Sequence, residues 1–231
     1  MQTIADRLIN AHQEIDNAVA SANRNPHSVR LLAVSKTKPV SDIELAYEAG
    51  QRLFGENYIQ EGVDKIQTLK HLSDIEWHMI GPIQSNKTKI VAEHFDWVQS
   101  IDRLKIARRL NDQRPEGMPP LNVCIQLNIE QEDSKSGIVP EALPGLVQEI
   151  LNLPRLSLRG VMAIPAAEVT PEAQGQTLTA LQSIYNQLAA QVDTVDTLSV
   201  GMSGDMRQAI AHGSTMVRIG TAIFGARNKQ N

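Results

Sequence analysis

The chain has 231 residues, 42% of them hydrophobic, and this length and composition allow one sizeable core. Its 22 Lys and Arg residues against 26 Asp and Glu residues give a formal net charge of −4. This balance excludes a global electrostatic attraction to nucleic acid or to an anionic membrane. We therefore expect a single domain over residues 1–231 that captures any anionic ligand locally.

Cysteine use and the start of the chain indicate the compartment. Cys124 is the single cysteine and lies in an apolar run, which excludes an internal disulfide and suits a reducing environment. The first ten residues lack the basic head and apolar stretch of a secretory signal, and no window approaches the length of a membrane span. We predict a cytoplasmic protein that binds no membrane.

The predicted elements alternate along the chain. Apolar residues recur at helical spacing through residues 3–24, so an amphipathic helix precedes the first strand. Ser41 with Glu44 is typical of a capping box, and Thr170 followed by Pro171 is typical of a helix start. Eight short β-rich runs are the predicted strands, at residues 29–35, 52–54, 76–80, 97–101, 121–127, 156–163, 197–200 and 216–219.

This alternation favours a parallel sheet, and eight is the strand number of a closed barrel. An open, doubly wound sheet shares the alternation. No Gly-x-Gly-x-x-Gly pattern follows the first predicted strand, however, and no composition break divides the chain. The prediction is an α/β fold, a single (β/α)8 TIM-type barrel with an extra N-terminal helix.

Lys36 closes the first predicted strand, and in a parallel barrel function collects on the loops that leave the C-terminal ends of strands. Lys36 shares strand parity with Leu32 and Val34, so it should point in the same direction. An ammonium among apolar side chains loses hydration and gives up its proton more readily, and the neutral amine is a nucleophile toward an aldehyde. A lysine that reaches solvent at a strand end is the alternative.

Small residues follow the last two predicted strands. Ser203 and Gly204 precede a helical stretch, and Gly220 and Thr221 precede a short terminal one. The free N–H groups of two converging helix N-termini, with two hydroxyls, would form a phosphate cup where barrels commonly bind phosphate. Taken singly, each junction is better explained as a helix cap beside a turn glycine, and the two together indicate the phosphate site.

Arg218 and Asn57 extend this set. The apolar neighbours of Arg218 would face the helices, which turns its guanidinium into the barrel mouth. It needs an acceptor there, either an aromatic ring nitrogen or a carboxylate such as Glu56 or Asp205. Asn57 follows the second strand and suits a hydroxyl or phenolate on a bound ring, although it is equally a turn residue. His78 is interpreted as a hydrogen-bonded core histidine rather than an acid or base.

The reactive lysine, the phosphate cup and the partner for a ring nitrogen together indicate pyridoxal 5′-phosphate, held as a Schiff base on Lys36. The alternative is a barrel enzyme that forms a Schiff base between Lys36 and a phosphorylated sugar. It would use the same lysine and the same phosphate cup, so these residues alone do not exclude it. No metal site is predicted.

Five segments resemble the pyridoxal phosphate homeostasis protein family, in the order of that family and over nearly the whole chain. They read AVSKTK at 33–38, FGEN at 54–57, WHMIGPIQSNK at 77–87, LSVGMSG at 198–204 and VRIGTAIFG at 217–225. The resemblance implies a fold shared with the N-terminal barrel of alanine racemase and a Schiff base between the cofactor and Lys36. Gly204 departs from the pattern, since some relatives carry an acidic residue there. The other implied contacts are Asn57 near the ring, Arg218 at the ring nitrogen, and Ser203, Gly204, Gly220 and Thr221 at the phosphate.

The family implies a protein that stores, protects or delivers pyridoxal phosphate and maintains vitamin B6 and amino-acid balance, with little or no catalysis. We expect pyridoxal-phosphate-dependent apoenzymes to receive the cofactor. We also expect a monomer, because the sequence ends soon after the last predicted strand, without the second domain of alanine racemase. The alternative is a weak amino-acid racemase, which needs a proton donor and an acceptor on opposite faces of a substrate carbon; only Lys36 is an obvious candidate.

Overall fold

The computed structural model of the chain describes residues 2–131, 135–166 and 170–226. Within these residues, eight parallel strands close into a barrel in sequence order, with the last strand hydrogen-bonded to the first. The strands are β1 Arg30–Val34, β2 Leu53–Glu56, β3 Glu76–Met79, β4 Trp97–Ile101, β5 Leu121–Leu127, β6 Leu156–Ala163, β7 Thr197–Ser199 and β8 Met216–Ile219.

Helices follow the strands and surround the barrel. They are α1 Ile4–Ser21, α2 Val40–Glu48, α3 Ile59–Thr68, α4 Thr88–His94, α5 Leu104–Gln113, α6 Leu143–Leu151, α7 Pro171–Gln191, α8 Met206–Ala211 and α9 Thr221–Phe224, with 3-10 turns at Ser85–Lys87 and Pro140–Ala142. The predicted (β/α)8 barrel with an extra N-terminal helix is therefore confirmed.

The main core lies between the barrel and its helices. Successive side chains of a strand point to opposite faces, so one set packs outward against the helices and the other fills the barrel. Phe54, Val98 and Val217 belong to the outer set and are fully buried. Cys124 and Met162 belong to a separate inner cluster and are also fully buried, so Cys124 is a core residue as expected.

The N-terminal end of the barrel interior is filled around Trp97, which is 2% exposed. Its ring stacks on the imidazole of His78 with 4.9 Å between ring centroids. The guanidinium groups of Arg30 and Arg159 lie over the same ring at 5.3 and 4.8 Å from its centroid. These contacts close that end of the barrel and leave the C-terminal ends of the strands as its mouth.

Helix α1 begins with a capping box, in which the Thr3 hydroxyl accepts the N–H of Asp6 and the Asp6 carboxylate accepts the N–H of Thr3. It buries Leu8 and Ile15 and packs against α2, α8 and α9, outside the junction between β8 and β1. The helix therefore braces the two short helices that follow β7 and β8. No helix in the ranges described above combines the length and apolar character that crossing a bilayer requires.

The helix-start signals have mixed outcomes. Thr170 caps α7, because its hydroxyl accepts the N–H of Ala173. The capping box predicted at Ser41 and Glu44 is wrong, since α2 already begins at Val40. Its cap is Pro39, which makes no side-chain cap hydrogen bond.

Candidate functional site at the barrel mouth

A cavity of about 360 Å³ opens at the C-terminal ends of the strands. This volume lies in the range of small-molecule sites. The seven site residues predicted from the sequence all line it: Lys36, Asn57, Ser203, Gly204, Arg218, Gly220 and Thr221. The sequence analysis did not predict four apolar residues of the described part of the chain that also line it: Val34, Ile80, Ile164 and Met202.

Lys36 lies two residues beyond the end of β1, in a turn rather than in the strand itself. The turn is closed by a hydrogen bond from the N–H of Lys38 to the carbonyl oxygen of Ser35, at 3.1 Å. Thr37 adopts a positive φ of 62°, which side chains branched at Cβ rarely do. Lys36 is half-buried at the cavity wall beside Val34, as its strand parity predicts.

Arg218 enters the cavity from β8 and is 5% exposed. Its Nη1 donates to the carbonyl oxygen and to the hydroxyl of Ser199, both at 2.8 Å, and its Nη2 donates to the carbonyl oxygen of Ala163 at 2.9 Å. A guanidinium has five N–H donors, so two remain for a ligand. Burial lowers the pKa of Arg218 to about 10, which still leaves the group protonated at neutral pH.

The ion pairs considered for Arg218 from the sequence do not form. Glu56 instead accepts hydrogen bonds from Lys65 and from the Ser35 hydroxyl, and Asp205 accepts the N–H of Met202. No carboxylate of the described residues lies within ion-pair distance of Arg218. The hydrogen bonds of Arg218 therefore all go to neutral acceptors, and Asp205 acts on its charge only from a longer distance, which favours an anionic or electron-rich ligand in the cavity.

A chain of hydrogen bonds supports Arg218 from inside the barrel. The Ser199 hydroxyl donates to Gln99 Oε1 at 2.6 Å, and Gln99 Nε2 lies 2.9 Å from His78 Nδ1. His78 Nε2 in turn lies 2.7 Å from Glu76 Oε1. Because the amide nitrogen of Gln99 can only donate, His78 Nδ1 accepts and the ring proton is on Nε2. His78 is the buried, hydrogen-bonded histidine that the sequence analysis expects, and it is fully shielded from solvent.

The buried position of His78 predicts a dependence of stability on pH. Burial lowers the pKa of His78 below its ordinary 6.5, although the bond to Glu76 opposes this. Below pH 6.5 the unfolded chain therefore holds a proton that the folded chain does not, and stability falls as the pH drops. We expect the stability of the wild type to fall through this group between pH 7 and pH 5.5. Urea unfolding of the wild type and of His78→Gln should show a shallower pH dependence in the variant, and equal slopes would contradict the assignment.

Ser203, Gly204, Gly220 and Thr221 form one end of the cavity. Helices α8 and α9 have only six and four residues, so the helix termini predicted here are short. Their local geometry still offers donors, because the N–H groups of Ser203, Gly204 and Thr221 bond to no acceptor in the described part of the chain. A Cβ placed on Gly204 would meet no atom within 4 Å, so the backbone there is open to a ligand.

Asn57 lines the cavity from the end of β2. Its Oδ1 is buried and has no hydrogen-bond partner within residues 2–131, 135–166 and 170–226. The backbone is held in place by Gly81, where an added Cβ would lie 2.1 Å from the carbonyl oxygen of Asn57. A buried acceptor without a donor is costly, and a ligand hydroxyl in the cavity would satisfy it.

The lining chemistry fits pyridoxal 5′-phosphate. Of the cavity-lining residues that the structure describes, Lys36 and Arg218 are cationic and none is Asp or Glu. Backbone N–H groups and hydroxyls at one end suit a phosphate, and the apolar residues Val34, Ile80 and Ile164 suit the faces of a ring. No cluster of His, Cys, Asp and Glu that could hold a metal ion exists among the residues that the structure describes.

Comparison with known proteins places this fold and site in one class. Residues 9–228 match the family model of the alanine racemase N-terminal domain, so the chain is a barrel of that class. The pyridoxal phosphate homeostasis protein of Pasteurella multocida is 57% identical over 229 residues, covering 98% of each chain. That of Escherichia coli strain K12 is 55% identical over 99% of this chain and 98% of the relative.

A solved structure agrees with these matches. PipY of Synechococcus elongatus, in its structure with PLP bound, superposes with a TM-score of 0.79 at 35% identity, covering 91% of this chain and all of that one. The chain belongs to the pyridoxal phosphate homeostasis protein family, as the five sequence segments predict.

Proposed function

We propose that this protein binds pyridoxal 5′-phosphate in the mouth cavity, as a Schiff base on Lys36, and holds it for delivery to other proteins. The observation that carries the proposal is the convergence of all seven predicted residues on one cavity, whose described lining residues include two cations and no carboxylate. The PLP-bound structure of PipY, a relative of the same fold, supports the choice of ligand.

Each part of the ligand has a proposed partner. Lys36 Nζ bonds to the aldehyde carbon, and the aldehyde oxygen leaves as water. The N–H groups of Ser203, Gly204 and Thr221 bind the phosphate, and the remaining donors of Arg218 face the ring nitrogen. The buried Oδ1 of Asn57 accepts a hydrogen bond from the ring hydroxyl. When bound, the cofactor supplies a reactive aldehyde and an electron-withdrawing ring.

The residues around the cavity favour a carrier over a racemase. Moving a proton at a substrate carbon needs an acid and a base placed on opposite faces. Lys36 can serve as one, but within residues 2–131, 135–166 and 170–226 no His, Tyr, Cys, Asp or Glu lines the cavity. Arg218, with a pKa of about 10, keeps its proton at neutral pH and is a poor proton donor. A Schiff base also forms and reverses without such a pair, which suits storage and release.

Several features of the proposal go beyond the cavity. We infer that pyridoxal-phosphate-dependent apoenzymes receive the cofactor and that the protein acts in the cytoplasm as a monomer with one domain. The recipients would be identified by their gain of activity on mixing with the loaded protein, and the oligomeric state by light scattering.

The proposal is tested by trapping the linkage. The purified protein is mixed with pyridoxal 5′-phosphate, reduced with borohydride, digested and mapped by mass spectrometry. We expect a visible absorption band that disappears on reduction, and a stable adduct on the peptide that carries Lys36. Lys36→Ala should lose the adduct and stay folded. An equal adduct in Lys36→Ala, or no band in the wild type, would refute the proposal and direct attention to a phosphorylated sugar.

A further inference from the structure

A cluster of charged residues lies beneath the turn that carries Lys36. Lys65 on α3 and Glu56 at the end of β2 are only 5% and 0% exposed. Lys65 Nζ donates to Glu56 Oε1 at 2.8 Å and to Glu61 Oε1 at 2.6 Å. None of these three residues lines the mouth cavity, so the proposed binding chemistry leaves them without a role.

Two members of the cluster bind the backbone on either side of Lys36. Lys65 Nζ makes its third hydrogen bond to the carbonyl oxygen of Ser35, at 2.7 Å. Glu61 Oε1 accepts the N–H of Thr37, at 2.6 Å. An ammonium has three N–H donors, so Lys65 is fully engaged and its position is fixed by its three partners. The peptide groups before and after Lys36 are thus both tied to α3.

The conformation of the turn explains why such ties are needed. Thr37 has a φ of 62° at the third position of the turn, where a glycine is the usual residue. A residue branched at Cβ is strained there, and strain of this kind persists only where the surroundings hold it. The N–H of Thr37 is held by Glu61, and the carbonyl of Ser35 is held by Lys65 as well as by the N–H of Lys38.

We propose that Lys65 and Glu61 are positioning residues for Lys36, which hold the strained turn and thereby present the amine of Lys36 to the cavity. This inference rests on the proposed function, because it assigns an effect on the reaction of Lys36 with an aldehyde. A purely structural ion pair would change stability alone. A positioning pair also changes how fast one amine reacts in a protein that remains folded.

The test uses Glu61, because its side chain is 29% exposed and its removal leaves the buried Lys65–Glu56 pair intact. Glu61→Ala removes the acceptor for Thr37, whereas Glu61→Gln keeps a side-chain oxygen that can accept the same N–H. Glu93→Ala is the matched control: Glu93 also pairs with a lysine four residues away in a helix and is 36% exposed. The three variants and the wild type are mixed with pyridoxal 5′-phosphate. Samples are reduced with borohydride at successive times, which gives the rate at which the adduct on Lys36 forms.

We expect Glu61→Ala to form the adduct about tenfold more slowly than the wild type, since a small displacement of a reacting group lowers rates by this order or more. The rate for Glu61→Gln should lie between those of Glu61→Ala and the wild type, and Glu93→Ala should react as fast as the wild type. Pyridoxine 5′-phosphate, which lacks the aldehyde, should bind all four proteins with affinities that agree within about twofold, because the phosphate end of the cavity is unchanged. Circular dichroism at the same temperature establishes that each variant is folded.

The possible failures are distinguishable. If the wild type forms the adduct on Lys36 and Glu61→Ala forms it as fast as Glu93→Ala, the positioning role is overturned and the proposed function stands. If Glu61→Ala loses affinity for pyridoxine 5′-phosphate to the same degree as its rate, the variant has altered the whole cavity and the positioning role is again overturned. If the wild type forms no adduct on Lys36, the proposed function fails and the positioning role fails with it.

Discussion

Replacement of Lys65 with methionine is expected to lower the free energy of unfolding by about 3–5 kcal/mol, the usual effect of removing one partner of a buried ion pair. The substitution removes three hydrogen bonds and leaves the carboxylate of Glu56 buried without a counter-charge. Urea unfolding followed by circular dichroism measures the change. Lys89→Met is the control: the side chain of Lys89 is 72% exposed and its ion pair with Glu93 is a surface pair, so about 0.5 kcal/mol or less is expected.

The stability of Lys65→Met should also depend on pH differently from that of the wild type. Burial raises the pKa of Glu56, and Lys65 opposes this effect. Without Lys65 only the hydrogen bond from the Ser35 hydroxyl still opposes the rise, so the pKa of Glu56 is higher and the folded variant takes up a proton at a pH where the unfolded chain is ionised. Its stability should therefore increase, relative to the wild type, as the pH falls from 8 toward 5. Lys65→Met with Glu56→Gln removes both charges and should recover part of the loss at neutral pH. A loss in the single variant that is constant across this pH range would contradict the assignment.

Replacement of Arg218 with methionine is expected to weaken the binding of pyridoxine 5′-phosphate by about tenfold or more. Arg218 offers two N–H donors to the cavity from a buried guanidinium, and a hydrogen bond to a charged group contributes about 1.5–3 kcal/mol. Isothermal titration calorimetry measures the affinity. Arg103→Met is the control, because Arg103 follows β4 at the same end of the barrel, is 59% exposed and does not line the cavity.

The Arg218 variant also tests whether Arg218 contacts the ring or the phosphate of the ligand. If Arg218 meets the ring nitrogen, its loss changes the visible absorption band of the bound cofactor and leaves the competition by inorganic phosphate unaltered. An unchanged absorption band together with weaker competition by inorganic phosphate would indicate that Arg218 contacts the phosphate, and would contradict its proposed contact with the ring nitrogen.

The fold could be predicted from the sequence because its signals are local. The predicted bounds of β4, β5, β6 and β8 are those in the structure, and each of these strands is a mostly apolar run with isolated polar residues. The first strand ends at Val34 rather than Ser35, since Ser35 is the first residue of the turn that contains Lys36. The predicted cap at Ser41 is wrong because the helix already begins at Val40, with the extended Pro39 in the cap position.

The site was predictable where it follows strand ends and not where it depends on contacts across the barrel. Lys36, Asn57 and Arg218 sit at C-terminal ends of strands, and that rule brings them to one mouth. Applied to apolar residues, the same rule would have found Ile80 and Ile164, which directly follow β3 and β6. Pairings such as Glu56 with Lys65, or Ser199 with Gln99, join distant residues, and sequence spacing carries no signal for them.

The filled end of the barrel limits how a bound ligand could be exchanged. Trp97, His78 and two arginines fill one end, and in the described part of the chain the mouth cavity opens at the other end. If the protein delivers its cofactor to other proteins, as proposed, a donor and a recipient would both have to contact this opening. They would therefore bind in succession rather than together, and a recipient bound over the mouth would also block reloading.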